Sequence, residues 1–194
     1  MQSNYVIWTY ESVDGACALK DLRGLEKTFR LNNGTPLAAQ FPADVELHMH
    51  PDFPNDILLP DNVLNADMLI VASARLQECV RSHSPPEVEY LPVGIIDHKG
   101  RVASREHAII HPVHPVDCID MQQSVYETNM IDPDDIESFE RLVIDETRIP
   151  RERTLFRMRG FWGITLVRRD LAAAISAIGP SGLEWLSISE YPRA

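Results

Sequence analysis

The chain contains 194 residues, 44% of them hydrophobic, and carries a formal net charge of −11. This length fits one domain better than two, so we expect a single domain over residues 1–194 whose core needs no disulfide or structural metal. The negative charge argues against general binding to nucleic acid or to anionic membrane surfaces. It would instead speed the approach of a basic protein partner.

Cysteine usage and the N-terminal sequence bear on the cellular compartment. Cys17, Cys79 and Cys118 are widely spaced and form no Cys-x-x-Cys pair, which predicts free thiols in a reducing compartment. The start of the chain has no basic region and only a short apolar stretch, Tyr5–Tyr10, so it does not resemble a secretory signal. No segment approaches the roughly 20 apolar residues that span a bilayer. We therefore expect a soluble, cytoplasmic protein.

The first third of the chain predicts one clear strand and a long loop. Tyr5–Tyr10 is rich in β-branched and aromatic residues, which is typical of a strand. Residues 14–30 could hold a short helix, although two glycines weaken the pattern. Prolines recur so often in residues 31–60 that we expect a long shaped loop with short strands at most, packed down by its interleaved apolar residues.

The remainder of the chain alternates predicted helices and strands. One helix follows Ser73, a good capping residue, and a second covers residues 170–178. The predicted strands cover residues 88–96, 102–116, 155–158, 164–167 and 183–188. This order indicates an α+β fold, with a mixed or mostly antiparallel sheet, a few packed helices and the long proline-rich loop.

Four histidines raise the possibility of a metal site. His48 and His50 would point to the same face of a strand, and His111 and His114 lie three residues apart with two aspartates just beyond. Imidazole and carboxylate ligands suit zinc or non-haem iron. However, neighbouring prolines exclude helical ligand geometry around the second pair, and no zinc motif with a general base is present. A metal-dependent hydrolase or oxygenase that uses these histidines is the alternative to a protein-binding function.

Other catalytic patterns are weaker still. No serine lies in a Gly-x-Ser-x-Gly elbow, no cysteine has a nucleophile signature, and no glycine-rich phosphate loop occurs. We therefore predict a protein that is not an enzyme, holds no cofactor and acts by binding another protein. A scaffold subunit of a larger assembly is a third interpretation, which the sequence does not separate from such a binder.

An acidic stretch is the candidate binding surface. Seven carboxylates and only one cation, Arg141, lie in residues 132–146, and seven arginines follow in residues 148–169. Adjacent blocks of opposite charge usually meet in the fold or lie on separate solvated faces. A partner-facing acidic patch is the other interpretation. Its candidate contact residues are Asp132, Asp134, Asp135, Glu137 and Glu140.

Short motifs follow one another over more than 150 residues in a recognisable order. They begin with the Tyr5 strand and continue through residues 31–37, 41–54, 61–65, 70–76, 88–93, 116–120, 155–158 and 182–185. In this order the chain resembles bacterial immunity protein family 11, antidotes encoded beside polymorphic toxins and contact-dependent effectors. One departure is Arg168, where similar proteins tend to carry a small helix-capping residue, so the cap would pass to Asp170.

The resemblance implies an α+β fold, no catalytic centre and no cofactor. It also implies a cognate toxin as the protein partner, and the negative charge is the reason to expect no nucleic acid or membrane partner. The motif residues are mostly apolar, Gly, Pro or short polar groups suited to core, turn and capping positions, so they do not identify the toxin-contacting surface. The toxin's identity and the oligomeric state also stay open.

Overall fold

The computed structural model describes residues 2–83, 87–130, 132 and 135–192. Over these residues the chain forms strands and short helices, and the predicted α+β class is confirmed. The elements are β1 (Tyr5–Tyr10), β2 (Leu19–Arg23), α1 (Phe29–Asn32), β3 (Glu46–Met49), β4 (Asn62–Val63), β5 (Ile70–Ala72), α2 (Ala74–His83), β6 (Val88–Ile96), β7 (Val102–Pro112), β8 (Val125–Thr128), β9 (Ile136–Arg141), β10 (Leu155–Met158), β11 (Phe161–Arg168), α3 (Arg169–Ala177) and β12 (Leu183–Ser187). None of the described helices has the length and apolarity that crossing a bilayer requires.

A four-stranded antiparallel sheet joins the two ends of the chain. Its strand order is β10-β11-β1-β12, so the N-terminal strand lies between two C-terminal ones. Trp8 pairs with Thr165 of β11 on one side and with Trp185 of β12 on the other. Because β11 and β12 both run antiparallel to β1, they are parallel to each other, and α3 provides the crossover between them.

The second sheet has six strands in the order β2-β3-β6-β7-β5-β4 and curls back on itself. Only β3 and β6 pair in parallel. Two bridges, Ala16 to Leu58 and Leu19 to Asn65, connect the region of β2 with the chain that flanks β4, so the two edges meet. The concave side is filled by buried side chains such as Leu47. The proline-rich loop adds Leu37 and Val45 to this core, as predicted.

Helices α2 and α3 pack between the two sheets. Leu76 of α2 and Leu171 of α3 share a buried cluster with Val6 of β1 and Ile110 of β7. The opposite face of the four-stranded sheet, which includes Ile7, is covered by the β8–β9 hairpin and its flanking segments. Each sheet thus buries both faces, which fits the long apolar runs in β1, β6 and β7.

A buried carboxylate links the six-stranded sheet to the start of β12. Asp61 accepts hydrogen bonds from Arg75 Nε at 2.7 Å, from Ser73 Oγ at 2.6 Å and from the Ser181 backbone N–H at 2.9 Å. The bonds from Arg75 hold the pKa of this carboxyl well below its usual range. Next to it, the Asn62 side chain donates to Gly182 O at 2.8 Å and accepts from Trp8 Nε1 at 3.1 Å. Most of these residues belong to the sequence motifs 61–65, 70–76 and 182–185, so these motifs stabilise the fold.

Some expected element boundaries were wrong. The short helix suggested within residues 14–30 begins only at Phe29, as α1, and strand β2 precedes it. A bulge at Asp21, with φ +57°, interrupts the alternation that would have marked this strand. The strand expected over residues 102–116 ends at Pro112. Strands β8 and β9 form a hairpin that was not predicted.

At the start of α3, Arg168 stands where similar proteins tend to carry a small helix-capping residue. That residue occupies the cap position and its side chain makes no capping bond. It donates instead to both oxygens of Asp170, at 2.9 and 2.7 Å. Asp170 in turn accepts the Leu171 backbone N–H at 2.8 Å, so it satisfies one of the free donors of the first turn.

Candidate partner-binding surface

The acidic stretch forms one strand of a hairpin that is anchored by its apolar side. In β8 and β9, Tyr126 pairs with Phe139, and Phe139 and Ile136 are buried against the four-stranded sheet. The Phe139 ring meets the Phe161 ring edge-on, with centroids 4.9 Å apart. This inward packing leaves the other side of the hairpin to face solvent.

The outward side of the hairpin carries carboxylates. Glu127 of β8 and Glu137 and Glu140 of β9 are all exposed. In the described part of the chain none of the three has an ion-pair partner within 4.0 Å. The nearest cation in sequence, Arg141, donates twice to the backbone oxygen of Gln123, at 3.0 and 2.6 Å. We call Glu127, Glu137 and Glu140 with exposed Asp132 the acidic hairpin surface.

The five predicted contact residues do not all have the same environment. Asp132, Glu137 and Glu140 are exposed, whereas Asp135 is half-buried and accepts the indole N–H of Trp162 at 3.2 Å. The Asp135 backbone N–H also donates to Asp132 O at 3.0 Å. Asp135 therefore supports the hairpin, and Asp134 lies outside the described residues.

Two of the arginines that follow the acidic stretch, Arg148 and Arg153, are bonded elsewhere in the fold. Arg153 is buried and donates to the backbone oxygens of Val113 and His114, at 3.1 and 2.7 Å. Arg148 pairs with Asp117. These two cations bond to other parts of the molecule and do not pair with Glu127, Glu137 or Glu140.

Arg157 is the most deeply buried of these arginines. Only 2% of it is exposed, and it donates to Trp162 O at 2.5 Å and to Met68 O at 3.1 Å. Removal from water lowers the pKa of its guanidinium to about 10. Because Met68 precedes β5 and Arg157 lies on β10, this side chain ties the two sheets together through backbone oxygens.

The four histidines of the possible metal site occupy different environments. His48 lies on β3 beside Glu46, 3.5 Å away, and His50 Nδ1 accepts the Asp52 backbone N–H at 3.2 Å. His111 is buried, with Nε2 2.9 Å from Thr35 O, whereas His114 is exposed. Across residues 2–83, 87–130, 132 and 135–192, no three His, Cys, Asp or Glu side chains are grouped closely enough to hold a metal ion.

The comparison with protein families decides the family. The model of the immunity protein family (Imm11) matches residues 12–190, nearly the whole chain. The chain belongs to the Imm11 family. The Imm11 match covers every described strand except β1, together with the Asp61 bonds and the acidic hairpin surface, and it confirms the resemblance found in the sequence. No curated protein matches the chain.

Glu127 is a member of the acidic hairpin surface that the sequence interpretation missed. It precedes the acidic stretch in sequence and lies next to it only because β8 and β9 pair. Glu127 is opposite Ser138, whose Oγ donates to Glu127 Oε2 at 3.3 Å. The available signal in the sequence was the β-branched and aromatic content of residues 125–128, which is typical of a strand.

Proposed function

We propose that this Imm11 protein binds a cognate bacterial toxin in the cytoplasm and neutralises it, acting as a protein inhibitor and not as an enzyme. The observation that carries this proposal is the family match over residues 12–190. An interface of ordinary size, roughly 800 Å² on each partner, would be enough to block the toxin's active site.

The acidic hairpin surface is the contact region that we propose. The carboxylates of Glu127, Glu137 and Glu140 are exposed and have no ion-pair partner among the described residues, so their field extends into solvent. The apolar side of the hairpin is fixed by Ile136 and Phe139, so the surface is presented on a rigid element. A rigid negative surface suits a toxin with a basic face, because complementary charge speeds encounter and excludes wrong partners.

Co-expression tests the neutralising role. The probe is the toxic C-terminal domain encoded by the neighbouring reading frame, produced in bacteria from a repressed promoter. We expect the wild-type chain to restore growth, and an unrelated acidic protein of similar size to leave the cells inhibited. Continued growth inhibition, with the chain present as a folded protein, would refute the proposal.

A further inference from the structure

The four-stranded sheet opens at one end. Pairing between β1 and β11 runs from Tyr5 opposite Arg168 to Trp8 opposite Thr165, yet β1 continues to Tyr10. A cleft of about 270 Å³ lies where the strands separate. Its lining includes Tyr10, Met68, Gly163, Ile164, Thr165 and Tyr191.

Two residues shape the cleft. Gly163 contributes no side chain, and a Cβ there would stand 3.4 Å from Phe161 Cζ and 3.8 Å from Met68 Sδ. Met68 is 52% exposed and has a φ of +53°. Its carbonyl is held by the buried Arg157, 3.1 Å away, so the backbone on this side of the cleft is fixed.

The cleft adjoins the acidic hairpin surface. Trp162, the residue before Gly163, donates to Asp135 at the base of the hairpin. Phe161 contacts both Phe139 of the hairpin, with centroids 4.9 Å apart, and Tyr191 of the cleft, with centroids 6.1 Å apart. The apolar cleft therefore lies beside the base of the hairpin that carries the acidic surface.

We infer that this cleft receives one apolar side chain of the toxin, supplied from a basic surface that docks on the acidic hairpin. The inference rests on the proposed function and identifies the cleft as the place where an apolar toxin side chain anchors the complex. The adjoining carboxylates select a basic partner, while the cleft has room for a side chain of the size of Leu, Met or Phe. Binding energy in protein interfaces concentrates in such buried anchors, and surrounding charges mainly steer the encounter.

Surface plasmon resonance with the toxic domain encoded by the neighbouring reading frame tests the anchor. Gly163→Leu fills the cleft, and Met68→Ala removes its exposed wall. We expect each variant to dissociate at least tenfold faster than the wild-type chain, with association rates and their salt dependence unchanged, because anchors act mainly on dissociation. Ile57→Ala is the matched control, since Ile57 is 64% exposed on the proline-rich loop, and it should dissociate like wild type.

The outcomes separate the anchor from the toxin-binding role. Wild-type binding and rescue, with dissociation of both variants within twofold of wild type, would overturn the anchor and leave the immunity role standing. A wild-type chain that neither binds nor rescues overturns both. Thermal unfolding checks each variant, and if Gly163→Leu does not fold, Met68→Ala decides the question.

Discussion

The indole N–H of Trp162 donates to the carboxylate of Asp135 at 3.2 Å and ties β11 to the base of the acidic hairpin. The bond joins a strand of the main sheet to the element that carries the proposed contact surface. It uses one of the predicted contact residues for support, whereas Glu137 and Glu140 on the same hairpin are exposed to solvent.

Removing this bond should loosen the hairpin without unfolding the protein. We expect Trp162→Phe to increase amide hydrogen exchange in β9 several-fold while the thermal midpoint falls by only a few degrees, since one hydrogen bond to a charged group contributes about 1.5–3 kcal/mol. Trp185→Phe is the control, because Trp185 donates its indole N–H to Ser176 Oγ at 2.9 Å, away from the hairpin. Equal amide hydrogen exchange in β9 for the two variants would show that the Trp162–Asp135 bond does not stabilise the hairpin.

Gly182 should be the glycine least tolerant of a side chain. Its φ is +77°, and a Cβ would collide with the backbone oxygen of Asn62 beside the Asp61 bonds. We expect Gly182→Ala to lower the free energy of unfolding by about 3 kcal/mol, from steric overlap added to left-handed strain.

Gly100 provides the matched control for this substitution. Its φ is +74°, but a Cβ there would meet nothing within 4 Å. Gly100→Ala should therefore lower the free energy of unfolding by only about 1 kcal/mol, the cost of the backbone conformation alone. Urea denaturation measures both variants, and equal losses would contradict the close approach of Gly182 and Asn62.

Stability should fall on mild acidification because of two buried histidines on β7. Burial lowers the pKa of His107 and of His111 below the ordinary value. The unfolded chain therefore binds protons below about pH 6.5, where these folded imidazoles stay neutral. The resulting stability is complete above about pH 6.5 and decreases as the pH falls below it.

Urea denaturation at pH 7.5 and pH 5.5 tests this dependence. We expect His111→Gln to reduce the loss of unfolding free energy between the two pH values, since it removes one of the two groups. His83→Gln is the control, because His83 is exposed on α2. An identical loss in wild type and His111→Gln would contradict the assignment.

The sequence revealed the elements whose pattern is local and uninterrupted. β1, with its β-branched and aromatic residues, was predicted over Tyr5–Tyr10, and β6 was predicted over Val88–Ile96. The β8–β9 hairpin was not predicted because its register shifts at two bulges, one just before Tyr126 and one just after Glu127. These bulges disturb the strand period of two. The cause is the same as for β2.

The candidate site was only partly accessible to sequence reasoning. The charge of residues 132–146 was plain, but which carboxylates face solvent depends on pairing and burial. Asp135, for example, is taken up by Trp162, 27 residues away. The cleft depends on where two strands that are distant in sequence stop pairing, and no local pattern encodes that point.

The central claim, that the acidic hairpin surface meets a basic toxin, is tested most directly by association kinetics across ionic strength. The variant is Glu127→Lys, Glu137→Lys and Glu140→Lys combined. The control changes the net charge equally at exposed positions outside the hairpin, with Glu11→Lys, Glu26→Lys and Glu78→Lys combined. We predict that the hairpin variant associates with the toxic domain at least tenfold more slowly than the control, with a weaker salt dependence. Equal association rates for the two variants at every salt concentration would contradict the account.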